Sequence, residues 1–136
     1  MAGRSTGRIL IIDDDNQVRR INHRVLERAG YDVRSAASLI DGIELSQEWS
    51  PDLVLLDLVM PDTGGVASLT RLRREPGLRD AAVVAYSGAI VDSDTERFLK
   101  LGFDAVLPKP VSTDDLIERI ALLLQVGRQR RHKTDT

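Results

Sequence analysis

The segment Ile9-Leu10-Ile11-Ile12-Asp13-Asp14-Asp15 decides the fold. Four apolar residues run straight into three carboxylates, which reads as a short β-strand with charge at its C-terminal end. The same grammar recurs downstream. Leu53-Val54-Leu55-Leu56 ends on Asp57, Ala82-Val83-Val84-Ala85-Tyr86 ends on Ser87, and Ala105-Val106-Leu107 leads through Pro108 to Lys109. In an open α/β sheet, ligands bind at the C-terminal strand edge. Three carboxylates, a hydroxyl and an ammonium gathered there describe a divalent-metal site with a phosphoryl pocket.

Helix-period segments lie between the apolar runs, and that alternation argues βαβ units and a parallel sheet. Strands are expected at about 8–13, 32–35, 52–57, 82–87 and 105–107, and helices at about 16–29, 39–48, 66–74, 94–101 and 113–126. Val18, Ile21, Val25, Leu26 and Ala29 mark one face of the first helix, and Leu116, Ile117, Ile120, Leu123 and Leu124 the stripe of the last. Ser38, Ser93 and Ser112 read as N-caps, whereas Gly30, Gly102 and Gly127 read as helix ends. The result is a doubly wound (βα)5 sandwich. Residues 1–7 form a flexible lead-in, 8–126 the domain, and 127–136 a frayed basic tail with Arg128, Arg130, Arg131 and Lys133.

Composition narrows the function. At 136 residues the chain reads as one domain, with 42% hydrophobic and 29% charged residues, as in ordinary globular proteins. Nineteen basic against 21 acidic side chains leave a net charge of −2, which does not suggest a nucleic-acid binder. There is no cysteine, so disulfides and thiolate metal sites are excluded. His23 and His132 have no neighbouring ligand set. No apolar run approaches the roughly 20 residues of a membrane span, and the start lacks a signal-like core, so a cytoplasmic location is expected.

Each site residue has an ordinary alternative. Asp13, Asp14 and Asp15 could cap a helix, but one carboxylate suffices for a cap. Two adjacent carboxylates repel by roughly 4 kcal/mol at about 4 Å and an effective dielectric near 20, a cost that a hard divalent cation removes. Asp57 could start a turn toward Pro61, but a carboxylate among Leu55, Leu56, Leu58 and Val59 is expensive unless paired or metal-bound. Lys109 could be a surface lysine, yet Pro108 and Pro110 stiffen its backbone and aim it. Ser87-Gly88 could be a plain turn. Common placement at four strand ends makes the set specific. Three carboxylates, a divalent metal and Lys109 sum to zero charge, which suits a pocket that receives a phosphoryl group.

These residues carry a resemblance. Ile11-Ile12-Asp13-Asp14-Asp15, the stretch from Leu55 to Gly65, Tyr86-Ser87-Gly88 and Pro108-Lys109-Pro110 together resemble the receiver domain of two-component response regulators, over about residues 8–126. The resemblance implies a flavodoxin-like sandwich with a five-stranded parallel sheet. Asp57 would be the nucleophile and phosphoacceptor. Asp14 and Asp57 would ligate Mg²⁺ directly, or Mn²⁺ in its place, with the Val59 backbone carbonyl as third ligand and Asp13 acting mainly through water. Ser87 would bond a phosphoryl oxygen, Lys109 would contact Asp57 and then the phosphoryl group, and the Lys109–Pro110 peptide would be cis.

The implied protein is a phosphoacceptor switch in a phosphorelay and not an enzyme, although it assists its own phosphorylation and dephosphorylation. A histidine kinase or histidine phosphotransfer protein would supply the phosphoryl group, and the two states would differ in affinity for a downstream protein. Ten residues after Val126 are too few for an output module, so a stand-alone receiver is expected, with a homodimer through the fourth helix, fifth strand and fifth helix as a further form. Arg19, Arg20, His23, Arg24 and Arg28 give the first helix a charged face, either solvated or used for kinase docking. A non-phosphorylated pseudo-receiver is the main alternative. A flavodoxin-type protein is disfavoured because Asp13-Asp14-Asp15 has the wrong sign for a phosphate loop. A haloacid-dehalogenase-like phosphatase would want an acid where Val59 stands.

Two departures from the family pattern matter. Receivers usually carry a switching aromatic residue where this chain has Val106, so Ser87 and the 88–92 loop are expected to carry the signal. The positions that help orient the hydrolytic water hold Val59 and Ala89, neither of which hydrogen-bonds through its side chain. Phosphoryl loss from Asp57 should therefore be slow, and Val59→Asn should speed it. Rapid loss of label that Val59→Asn leaves untouched would count against this expectation.

Overall fold

The computed structural model describes residues 7–58, 65–88 and 92–135. The elements alternate: β1 (Arg8–Ile12), α1 (Asn16–Arg28), β2 (Asp32–Ala36), α2 (Leu39–Glu48), β3 (Leu53–Asp57), α3 (Gly65–Arg74), β4 (Ala82–Ser87), α4 (Asp92–Leu101), β5 (Ala105–Pro108) and α5 (Thr113–Asp135). All five strands are parallel, in the order β2-β1-β3-β4-β5. The order reverses direction between β1 and β3, and a crevice opens at the C-terminal ends of two such strands. The architecture is the flavodoxin-like sandwich expected from the sequence. Among the described residues no helix is long and apolar enough to cross a membrane.

Alternation within each strand divides the core. Leu10, Ile12, Val54, Leu56, Val83 and Ala85 face one layer, where α2 supplies Leu39 and Ile43 and α3 supplies Leu69 and Leu72. Ile9, Ile11, Leu53, Leu55, Val84 and Tyr86 face the other, against Leu26 of α1 and Leu116, Ile120 and Leu124 of α5. The inner strands are apolar on both faces because helices cover both.

Local chemistry sets the helix ends. Asp15 caps α1 by accepting from the backbone N–H groups of Gln17 and Val18, while Ser38 and Ser112 accept from Asp41 and Asp115. α4 begins at Asp92, so Ser93 lies inside the helix and not at its cap. After α1 and α4, Gly30 and Gly102 take positive φ, and the N–H groups of Tyr31 and Phe103 reach back to the carbonyls of Leu26 and Phe98.

Two expectations change. Ile21 was expected on the inward face of α1, but it is 54% exposed, and the buried position beside it belongs to Asn22. Asn22 and Leu26, one turn apart, face the sheet, which leaves Ile21 on the helix flank. Nor does α5 stop at Gly127; it continues to Asp135, so residues 127–135 are helical where a frayed tail was expected. Gly127 is buried, and a Cβ there would collide with the Asp52 carbonyl oxygen. It is a close-approach glycine that lets the helix pass the N-terminal ends of β3 and β4.

Beyond that glycine the helix is fastened by charge. Arg130 of α5 and Arg73 of α3 both donate to Asp104, whose Oδ2 also accepts the Val83 N–H at 2.8 Å. The Asp104 hydrogen bond holds Arg130 above the ordinary arginine value, although burial works against it. In a free helix interior, Gly→Ala stabilises by about 1 kcal/mol. At Gly127 the sign should reverse: Gly127→Ala should lower stability by about 1–3 kcal/mol, as overpacking does. Chemical unfolding decides it, and a more stable variant would show that α5 does not press on the Asp52 carbonyl.

Candidate functional site

Strand ends bring the acidic groups together. β1 ends at Ile12, and its ladder continues one step, because the Asp13 N–H donates to the Ala36 carbonyl at 3.1 Å. β3 ends on Asp57, in register with Tyr86 of β4. The Asp13 and Asp57 side chains are buried, whereas Asp14 is exposed. Each of the three offers a carboxylate oxygen, and these oxygens all lie within 4.8 Å of one another. Hard oxygen donors at that spacing fit Mg²⁺. Val59, expected to add its carbonyl, lies outside the described residues, as do Pro61, Gly64 and Ala89.

Lys109 supplies the opposing charge. Its Nζ lies 3.0 Å from Asp13 Oδ2 and 3.4 Å from Asp57 Oδ2. The nearer partner is Asp13, where Asp57 was expected. Ser87, 1% exposed, ends β4 beside Pro108, and its carbonyl accepts the Lys109 N–H at 3.1 Å. The Lys109–Pro110 peptide is cis. All five residues singled out in the sequence, Asp13, Asp14, Asp57, Ser87 and Lys109, stand at one sheet edge.

Second contacts fix this arrangement. Asp13 Oδ1 accepts the Asp15 N–H at 2.9 Å, and Arg19 donates to the Asp13 carbonyl at 2.6 Å and to Asn16 Oδ1 at 2.6 Å. Arg19 thus turns toward the acidic loop instead of joining the outer basic face of α1. Two residues went unnoticed in the sequence as members of the site. The Tyr86 ring lies 4.8 Å from the Lys109 ammonium, and Asn22 donates to the Tyr86 hydroxyl at 3.3 Å. In the sequence Tyr86 stands out only as the residue before Ser87, and Asn22 only as one position of an amphipathic helix, so no local signal set either beside Lys109. Val106 is buried in the core layer that includes Leu56, Ala85 and Phe103.

The chain matches the response regulator receiver domain model over residues 9–121. It belongs to that family. Among its relatives is the DNA-binding dual master transcriptional regulator RpaA of Synechocystis, 36% identical over 118 residues, which are 87% of this chain and 49% of RpaA. The chain therefore spans about half the length of that relative. The polar-differentiation response regulator DivK of Brucella ovis is 28% identical over 85% of this chain and 94% of its own. A CheY-like receiver domain protein from Methanospirillum hungatei superposes with a TM-score of 0.80 at 29% identity, over 92% of this chain and 98% of that one. Receiver domains are signalling proteins that bind Mg²⁺ at their acidic pocket, and this receiver has such a pocket.

Electrostatics explain why the pocket suits a cation. Burial raises the Asp13 pKa above the ordinary 3.8, against the Asp15 N–H and Lys109, which lower it. Burial pulls Lys109 down, but the hydrogen bond and charge of Asp13, with Asp57, outweigh it and hold the ammonium above 10.5. The stabilisation Lys109 contributes is thus complete below its ordinary range and is lost only at more alkaline pH. For Asp13 the sign is opposite. The folded state holds its proton more tightly than the unfolded chain, so metal-free stability falls as pH climbs from the ordinary carboxylate value through the raised one. Relative to wild type, Asp13→Asn should gain stability as pH rises from about 4 toward neutrality in metal-free unfolding titrations. A difference that is flat with pH would mean that burial does not govern this carboxylate.

Proposed function

We propose that this receiver takes a phosphoryl group from a phosphohistidine donor onto Asp57 and thereby changes its affinity for a protein partner. The observation that carries the reading is the buried Asp57 carboxylate, which shares one ammonium with Asp13 at the C-terminal edge of the sheet. A carboxylate oxygen of Asp57 attacks phosphorus in line. The O–P bond forms as the donor's N–P bond breaks, and the imidazole that leaves takes a proton from solvent. Phosphoryl transfer needs little beyond positioning and charge neutralisation. Lys109 opposes the charge that builds on the phosphoryl oxygens, and the Ser87 hydroxyl donates to one of them after transfer. Mg²⁺ held by Asp13, Asp14 and Asp57, with the Val59 carbonyl, would neutralise the remaining charge.

Histidine kinases or phosphotransfer proteins present the phosphohistidine side chain that this chemistry requires. The groove along α1, lined by Arg20, Arg24 and Arg28 with Ile21, His23 and the single carboxylate Glu27, has a volume of about 500 Å³ and offers such a donor a predominantly basic surface with one exposed large apolar residue. RpaA is named for DNA binding and DivK for polar differentiation, and the match over 94% of DivK leaves that response regulator little more than a receiver, which supports the reading of output through another protein. The phosphorylated and unphosphorylated states must differ in affinity for that partner, because a ligand with equal affinity for both states shifts nothing.

Intact mass after incubation with Mg²⁺ and acetyl phosphate tests the reading. Wild type should gain one phosphoryl group, and Asp57→Asn none. No gain in wild type, with no Mg²⁺ binding, would replace the switch with a constitutive interaction module on a receiver fold.

A further inference from the structure

A buried tyrosine needs a partner for its hydroxyl wherever it sits, and Asn22 supplies one for Tyr86. The other contact of this ring has no such ordinary explanation. Tyr86 is 4% exposed, and its ring lies 4.8 Å from the Lys109 ammonium, which also faces Asp13 and Asp57. Tyr86 is paired in register with Asp57 and precedes Ser87 in the chain, so its backbone is flanked by two site residues. Its hydroxyl, on the α1 side, is held by the amide of Asn22, a residue 7% exposed on an inward helix face. A lone amide is costly to bury without a hydrogen bond, so Asn22 and Tyr86 satisfy each other.

We infer that Tyr86 is a positioning residue for Lys109: its ring forms an uncharged floor that holds the ammonium at Asp57 while the carboxylates change partners. The inference rests on the proposed phosphoacceptor role of Asp57. Lys109 is closer to Asp13 than to Asp57. Once the acidic groups turn to a metal and a phosphoryl group, the pull of Asp13 on the ammonium weakens. The ring's attraction for a cation depends on its quadrupole and is the same before and after transfer. Of the three groups that face the ammonium, Asp13, Asp57 and Tyr86, the ring is therefore the one whose attraction stays constant through the reaction.

The test compares wild type, Tyr86→Phe and Tyr86→Leu, with folding checked by thermal unfolding. Phosphorylation rates are measured with Mg²⁺ over a range of acetyl phosphate concentrations, and the Lys109 ε-methylene proton shifts are read by NMR. The ring should move those protons upfield of a free lysine in wild type and Tyr86→Phe, but not in Tyr86→Leu. The maximal rate should fall about five- to tenfold in Tyr86→Leu, with the half-saturating donor concentration unchanged, and within about twofold of wild type in Tyr86→Phe. Equal maximal rates in all three proteins would overturn the inference, as would a Phe variant as slow as Leu. If Tyr86→Leu does not fold, an unshifted Lys109 in wild type overturns it alone. Absence of label on wild type would instead overturn the phosphoacceptor reading, and the NMR shift, which needs no donor, would still decide where Lys109 sits.

Discussion

One ammonium shared between two buried carboxylates is the constraint on which this molecule depends. Asp13 and Asp57 both reach Lys109, and Asp14 adds a third carboxylate within 4.8 Å. Three negative charges against one positive charge leave the pocket two charges short of neutral. The parallel sheet makes this unavoidable. Neighbouring parallel strands end at the same edge, and apolar layers above and below keep water from most of the two inner carboxylates. The imbalance that costs stability in the metal-free protein is also what gives the site an appetite for a divalent cation.

The opposite edge has the reverse character. Asp104 is met by two arginines and a backbone N–H, so its charge is matched several times over. α5 is held there by Arg130 and pressed onto the Asp52 carbonyl through Gly127. That carbonyl also accepts the Ala82 N–H, and the Asp52 side chain accepts the Arg8 N–H at 2.9 Å. The N-terminal strand ends are thus tied by matched polar groups, while the C-terminal ends carry an excess of carboxylates over ammonium groups. Stability and chemistry occupy different ends of one sheet, and the site can remain electrostatically strained without loosening the fold.

The strands were legible because each is a short apolar run closed by a polar residue, and the site was legible because those closing residues are charged or hydroxylic. Asp13, Asp14, Asp57, Ser87 and Lys109 were all found from strand-end position alone. Periodicity failed where the buried residue is polar. Ile21 fits an apolar stripe, yet Asn22 occupies the buried position, since an amide with a hydrogen-bond partner across the core can replace an aliphatic side chain. Gly127 misled for a related reason. A glycine after an apolar stripe signals a helix end when the chain must turn, but the same residue permits close contact when backbone from another element lies alongside. Whether such backbone is present depends on tertiary packing, which local sequence does not carry. Tyr86 likewise reads as one more strand residue until the topology sets Lys109 over its ring.

A switch needs an element with two discrete arrangements, and the surroundings of Val106 limit which element that is. Val106 is buried in a core layer whose aromatic pair, Phe98 against Phe103, is already packed edge to face at 5.7 Å. A valine at that position has no ring to move between core and surface. What joins the two functional strands instead is backbone: the Lys109 N–H donates to the Ser87 carbonyl, and the Leu58 N–H donates to the Tyr86 carbonyl at 3.3 Å. Through these bonds β4 is tied to the residue after Asp57 on one side and to Lys109 on the other. Any displacement of the Ser87 backbone therefore bears directly on the peptide of Lys109, without a side-chain intermediary. Hydrogen bonds of the backbone thus join the ends of β3, β4 and β5 around the acidic groups, while Val106 lies packed in the core layer beneath them.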